Sequence, residues 1–162
     1  MKVRICWLLA VPMIVSAAPP GRVPLGIFSG WGAFRDEQPP RCYAIAIPER
    51  RGSGEWRSFA AVAIWPRQKI NGQVHFRLRE PRRPNSPIRL IFGDRSFPLV
   101  AAGVDAWAPG PRADAAIIAT MRSGTSMRIA WVSKEGRNRS DGYLLKGVAT
   151  AIDAAALGCA RR

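Results

Sequence analysis

Hydrophobic residues along the chain fall into short runs bounded by Gly, Pro and Arg, and the spacing within those runs separates strands from helices. Cys42, Tyr43, Ala44, Ile45, Ala46 and Ile47, closed by Pro48, form a compact apolar run of strand length. Phe59 to Trp65, ended by Pro66, is a second run of the same kind and predicts a strand buried on both faces. Over 74–79 the pattern alternates: Val74, Phe76 and Leu78 share one face, and His75, Arg77 and Arg79 share the other. Further strands are predicted over 88–92 and 96–100, with Gly93 and Asp94 between them as a tight hairpin connection. Another is predicted over 127–132, paired across a polar turn containing Gly136 with 143–145. Two segments break this pattern. Ile117, Ile118 and Met121 recur at helical spacing within 113–122, and Gly124 suits a helix end. The Ala-rich stretch 148–157 predicts a second helix, stopped by Gly158. The fold class expected is mainly β, an antiparallel sandwich or barrel-like single domain with two short helices in its C-terminal half.

Ahead of these elements, Lys2 and Arg4 precede an apolar run over 5–15, followed by Ser16, Ala17 and Ala18. This is the pattern of an export signal, with Val15 and Ala17 placed for a cut before Ala18. Residues 1–17 are accordingly read as a signal peptide, 18–30 as a Pro/Gly-rich leader that docks or frays, and 31–162 as the folded domain. A retained membrane anchor is the alternative. The apolar run falls short of the ~20 residues a spanning helix needs, and Pro12 interrupts it. No later stretch is long and apolar enough to span a bilayer. The expected location is therefore periplasmic or secreted.

Of three cysteines, Cys6 leaves with the signal, and the mature chain keeps Cys42 and Cys159. An even pair in an oxidising compartment predicts one disulfide; two free or intermolecular thiols are the alternative. A metal site is not expected, because two cysteines and the lone His75 do not make one at a recognised spacing. The formal net charge is +14, carried mostly by Arg. Such an excess favours polyanions such as acidic polysaccharide or lipid head groups, although solubility alone also accounts for it.

From Asp105 onward the residue order becomes recognisable: Ala106-Trp107-Ala108, then a helix ending in Met121-Arg122-Ser123-Gly124. Next come Ser140-Asp141-Gly142-Tyr143-Leu144-Leu145-Lys146-Gly147, an Ala-rich helix and Cys159. Together with 42–48 and Ser96-Phe97-Pro98-Leu99, this resembles the invasion-associated locus B family of exported, virulence-associated bacterial proteins. The resemblance implies a mainly β fold, export, and cysteines at the start and end of the domain matching Cys42 and Cys159. It implies no catalytic site. Where relatives carry a Thr-rich hairpin, this chain has the basic hairpin 134–139.

The chemistry of an enzyme is thin. His75 is the only histidine, no serine sits in a G-x-S-x-G elbow, and no Gly-rich phosphate loop occurs. No cofactor is expected, and His75 reads as a solvated strand residue. Binding is the leading expectation. Arg77 and Arg79 on one strand face, Arg82 and Arg83 in the Pro-rich loop after it, and Lys134, Arg137 and Arg139 in the hairpin are candidate anion contacts; a solvated basic face is the alternative. Nucleic acid is not expected, since Phe76 points away from that face and leaves no aromatic interleaved with it. Trp31, Trp65, Trp107 and Trp131 are expected in the core, and Trp56 on the surface. The reading is a non-enzymatic binding protein facing anionic polysaccharide, lipid head groups or another envelope protein. The alternatives are a hydrolase of an envelope polymer and a ligand-free structural protein.

Overall fold

A computed structural model describes residues 21–50 and 56–160. The expected signal peptide with Cys6, and its cleavage point, lie outside the described residues. The strands are β1 (Arg22–Phe28), β2 (Trp31–Glu37), β3 (Pro40–Ala46), β4 (Phe59–Trp65), β5 (Ile70–Arg77), β6 (Arg89–Phe92), β7 (Arg95–Pro98), β8 (Val100–Ala102), β9 (Asp105–Trp107), β10 (Ser126–Val132) and β11 (Asn138–Leu144). Helix α1 spans Pro111–Ser123, and α2 spans Val148–Ala160. The strands form two antiparallel sheets, a larger one ordered β1-β2-β3-β4-β5-β9-β8 and a smaller one ordered β11-β10-β6-β7. Neither sheet closes into a barrel, so the sandwich alternative is the one realised.

The alternation along β5 decides which face is interior. Val74, Phe76 and Leu78 are fully buried and join Leu90, Ile129 and Tyr143 of the smaller sheet in one core. Ile117 and Met121 of α1, with Ala151 and Ile152 of α2, complete that core. Helix α1 begins two residues earlier than its apolar spacing indicates because Pro111 occupies the first turn, where its missing N–H is no loss. From the same turn, Asp114 accepts a hydrogen bond from the Val74 backbone N–H at 2.7 Å. The helix is thereby tied to the central strand.

Three expectations are corrected. The leader expected to dock or fray is, over its described part, built into the sheet: Arg22–Phe28 is edge strand β1, paired with β2 across a register break between Pro24 and Gly26. Pro24 and Gly26 read as breakers, yet an edge strand tolerates both at a bulge. Residues 96–100 are not one strand either. Pro98 ends β7 in the smaller sheet, buried Leu99 turns the corner, and Val100 starts β8 in the larger sheet. Gly158 does not stop α2, which continues to Ala160. A Cβ at Gly158 would sit 2.5 Å from Leu25 Cδ1, so this glycine lets β1 lie close against the helix.

Cys42 and Cys159 are disulfide-bonded across a sequence separation of 117 residues. The bond joins β3 to the last turn of α2 beside Ile64 and Ala155. Among the described residues, no helix is long and apolar enough to cross a membrane.

Candidate functional site

The pairing of β5 with β4 and β9 determines what surrounds the basic strand face. His75 is opposite Trp107, and Arg77 is opposite Asp105, while Phe59 of β4 flanks Arg77 on the other side. The His75 ring stacks on Trp107 with centroids 5.1 Å apart and meets Phe59 edge-on at 5.0 Å. Its Nε2 lies 2.8 Å from Asp105 Oδ1. Arg77 donates to the same carboxylate through Nε at 2.9 Å and Nη2 at 3.2 Å. His75 is therefore no solvated strand residue. Burial lowers its pKa, and the Asp105 carboxylate opposes that shift. Burial works against the Asp105 carboxylate as well, but hydrogen bonds from Arg77 and His75 outweigh it and hold its pKa below the ordinary value.

Ion pairing takes up three of the other candidates, Arg79, Arg137 and Arg139. Arg79 Nη1 lies 2.7 Å from Asp141 Oδ1, an almost fully buried carboxylate, and the guanidinium covers the Trp131 ring at 5.6 Å. Burial pushes Asp141 up, with Arg79 pulling the other way. Arg139 pairs with Glu80, and Arg137 with Glu135 at 3.6 Å. Arg22 and Arg41 likewise converge on Asp36. Several of these Arg residues thus meet their counter-charge on a neighbouring strand, as Arg77 does at Asp105, Arg79 at Asp141, and Arg22 and Arg41 at Asp36.

Arg82, Arg83 and Lys134 differ. Arg82 forms a bridge with Ser133, the Arg83 N–H donates to Val132 O at 2.8 Å, and the Lys134 N–H donates to Pro81 O at 3.3 Å. The Pro-rich loop and the start of the basic hairpin therefore run side by side. The Arg82 guanidinium donates to backbone carbonyls, Ser86 O at 2.6 Å and Arg83 O at 3.2 Å, which leaves its charge uncancelled. Among the described residues no carboxylate lies within 4.0 Å of Arg82, Arg83 or Lys134.

Arg82 and Lys134 line an open cleft of about 500 Å³ with Trp56, Pro81, Pro84 and Asn85. Trp56 is 42% exposed, and its backbone N–H is fixed to Arg79 O at 3.2 Å. As expected, Trp31 and Trp131 are core residues; Trp65 and Trp107 are half-buried on the outer face of the larger sheet. The cleft offers a planar apolar ring beside two cations, a combination that stacks on a ring-shaped ligand and attracts its negative charge. Nothing in the sequence marks which basic residues lack a carboxylate, because the pairing partners lie up to 62 positions away. Among the described residues no group of three His, Cys, Asp or Glu side chains is placed to hold a metal.

The architecture defines a class, a disulfide-closed two-sheet β sandwich with one Ala-rich helix stapled to the larger sheet. It is similar to the crystal structure of invasion associated protein B from Bartonella henselae, with a TM-score of 0.64 at 14% identity, covering 86% of this chain and 99% of that one. At that identity the likeness is one of fold. No family model and no curated protein matches the sequence.

Proposed function

We propose that this chain is an exported, non-enzymatic binding protein, periplasmic or secreted, that contacts anionic polysaccharide through the Trp56–Arg82–Lys134 cleft. The carrying observation is a pair of cations, Arg82 and Lys134, with no carboxylate within 4.0 Å among the described residues, beside an exposed indole. The Cys42–Cys159 bond agrees with an oxidising compartment, and the fold shared with an invasion associated protein agrees with an envelope role. Acidic sugar is preferred over lipid head groups or a protein partner because a single ring platform flanked by cations matches one charged sugar unit. The test is retention of the disulfide-intact protein on a heparin-like column under a salt gradient. Trp56→Ala and Lys134→Glu should each elute earlier than wild type, whereas wild-type elution from both overturns the proposal.

A hydrolase of an envelope polymer is the second reading, and the Asp105–His75 pair is the observation that favours it. In this structure Asp105 is shared with Arg77, and Trp107 and Phe59 pack against the imidazole, which suits a structural role. His75→Ala should leave column retention unchanged and should alter no polymer-cleaving turnover.

A further inference from the structure

The outer face of the smaller sheet carries two arginines that no sequence pattern singles out. Arg128 on β10 is opposite Ile91 on β6, and Arg89 is opposite Ala130. The two arginines are thus diagonal neighbours on adjacent strands, with Cβ atoms roughly 7–8 Å apart. Both are exposed. Arg89 Nη1 reaches only the Ser96 hydroxyl at 3.3 Å, and among the described residues no carboxylate lies within 4.0 Å of either guanidinium. Elsewhere on these sheets facing arginines share a carboxylate, as Arg22 and Arg41 share Asp36.

These two side chains line a cleft of about 400 Å³ with an apolar floor of Ile91 and Ala130 and a polar rim of Asn138 and Ser140. A second cleft of about 400 Å³ lies between it and the Trp56 site: Arg89 and Pro87 line both of the former, and Arg82 and Asn85 line both the second cleft and the Trp56 site. The three clefts thus form a segmented groove from Trp56 around the Pro-rich loop to Arg128.

We infer that Arg89 and Arg128 form a second anion subsite on that groove, so that the ligand is an acidic polysaccharide long enough to fill both ends. This rests on the reading of the Trp56 cleft as a sugar site and extends it. Guanidinium forks match sulfate or carboxylate oxygens, and the mixed floor and rim suit sugar rings with their hydroxyls. Nucleic acid fits less well. Among the described residues Trp56 is the only exposed aromatic along the groove, whereas base stacking needs successive rings.

Calorimetric titration with heparin-derived oligosaccharides of increasing length tests the inference on the full disulfide-bonded chain. Affinity should rise with length by about tenfold or more once both ends are engaged. The Arg89→Ala, Arg128→Ala double variant should lose that rise while keeping wild-type affinity for the disaccharide. Both side chains are exposed, so the core is untouched. Trp56→Ala should instead weaken binding at every length. A double variant that follows the wild-type length curve overturns the second subsite and leaves the Trp56 reading intact. Disaccharide binding insensitive to Trp56→Ala overturns the first reading, and with it the two-ended groove. A second measurement separates the ends directly: inorganic sulfate should shift the Nε–H resonances of Arg89 and Arg128, and unmoved resonances overturn the subsite.

Discussion

Oδ1 of Asp105 accepts from Arg77 Nε at 2.9 Å and lies 2.8 Å from His75 Nε2, so one carboxylate serves two of the three polar side chains of the basic strand face. Its titration behaviour follows. The folded pKa of His75 lies below the ordinary 6.5 because burial penalises the imidazolium. As pH falls, the unfolded chain therefore takes up this proton first, and His75's contribution to stability is complete above 6.5 and lost on acidification through that value. Asp105 adds a second loss at lower pH, since its folded pKa is depressed. The urea midpoint of the wild type should fall between about pH 7.5 and pH 5.5, and that of His75→Gln should fall less. Parallel pH dependences would contradict the assignment.

The disulfide should dominate the response to reductant. Closing 117 residues into a loop contributes roughly 4 to 5 kcal/mol in the chain-entropy model, a large fraction of a typical domain's stability. The Cys42→Ala, Cys159→Ala double variant should lower the denaturant midpoint by an amount of that order. Hydrogen exchange should also speed up first in the last turn of α2, where the staple sits. Unchanged exchange there would show that packing against Leu25 and Ile64 suffices.

Much of the fold was legible because its signal is local. The doubly buried β4, the alternating β5, the Gly93-Asp94 hairpin and the presence of both helices, though not the end of α2, follow from spacing and turn chemistry. β1 was hidden by Pro24 and Gly26, which are acceptable only because the strand lies at an edge, a fact of topology. The candidate site was legible in composition but not in assignment. Arg77 and Arg79 look as available as Arg82 and Lys134 until β9 and β11 bring Asp105 and Asp141 against them, and Arg139 does until β11 carries it to Glu80; only the Arg137–Glu135 pair is local in sequence. Interleaving of aromatics with the basic face was missed for the same reason: Trp107 and Phe59 come from neighbouring strands, whereas Phe76 on the same strand points inward.

Gly147 should be the least replaceable glycine among the described residues. Its φ is +88°, and a Cβ there would lie 2.1 Å from the Phe28 carbonyl oxygen, which is backbone and cannot swing away. The left-handed conformation alone costs a non-glycine residue about 1–3 kcal/mol, and the clash adds to it by pushing the start of α2 off β1. Gly103, at φ +61° and with no atom within 4 Å of the place a Cβ would occupy, supplies the control. Gly103→Ala should cost about 1–2 kcal/mol, and Gly147→Ala clearly more, as read from denaturant midpoints. Similar costs at the two sites would mean that the β1–α2 approach is looser than the structure has it.

Arg79 separates structural cations from ligand-binding ones. Its partner Asp141 keeps only 1% of its side chain accessible, and Arg79 itself 19%, so removing the guanidinium strands a carboxylate in the core. Breaking such a pair from one side typically costs about 3–5 kcal/mol. Burial raises the Asp141 pKa and Arg79 pulls it the other way, so removing Arg79 raises it further and the loss for Arg79→Ala should shrink as pH falls. Asp141→Asn, which keeps the shape and removes the charge, should relieve part of this loss when combined with Arg79→Ala. Heparin retention of the folded Arg79→Ala protein should stay close to wild type, because the charge removed is one already neutralised in the fold. A variant that kept full stability but lost retention would move Arg79 from the scaffold to the binding surface.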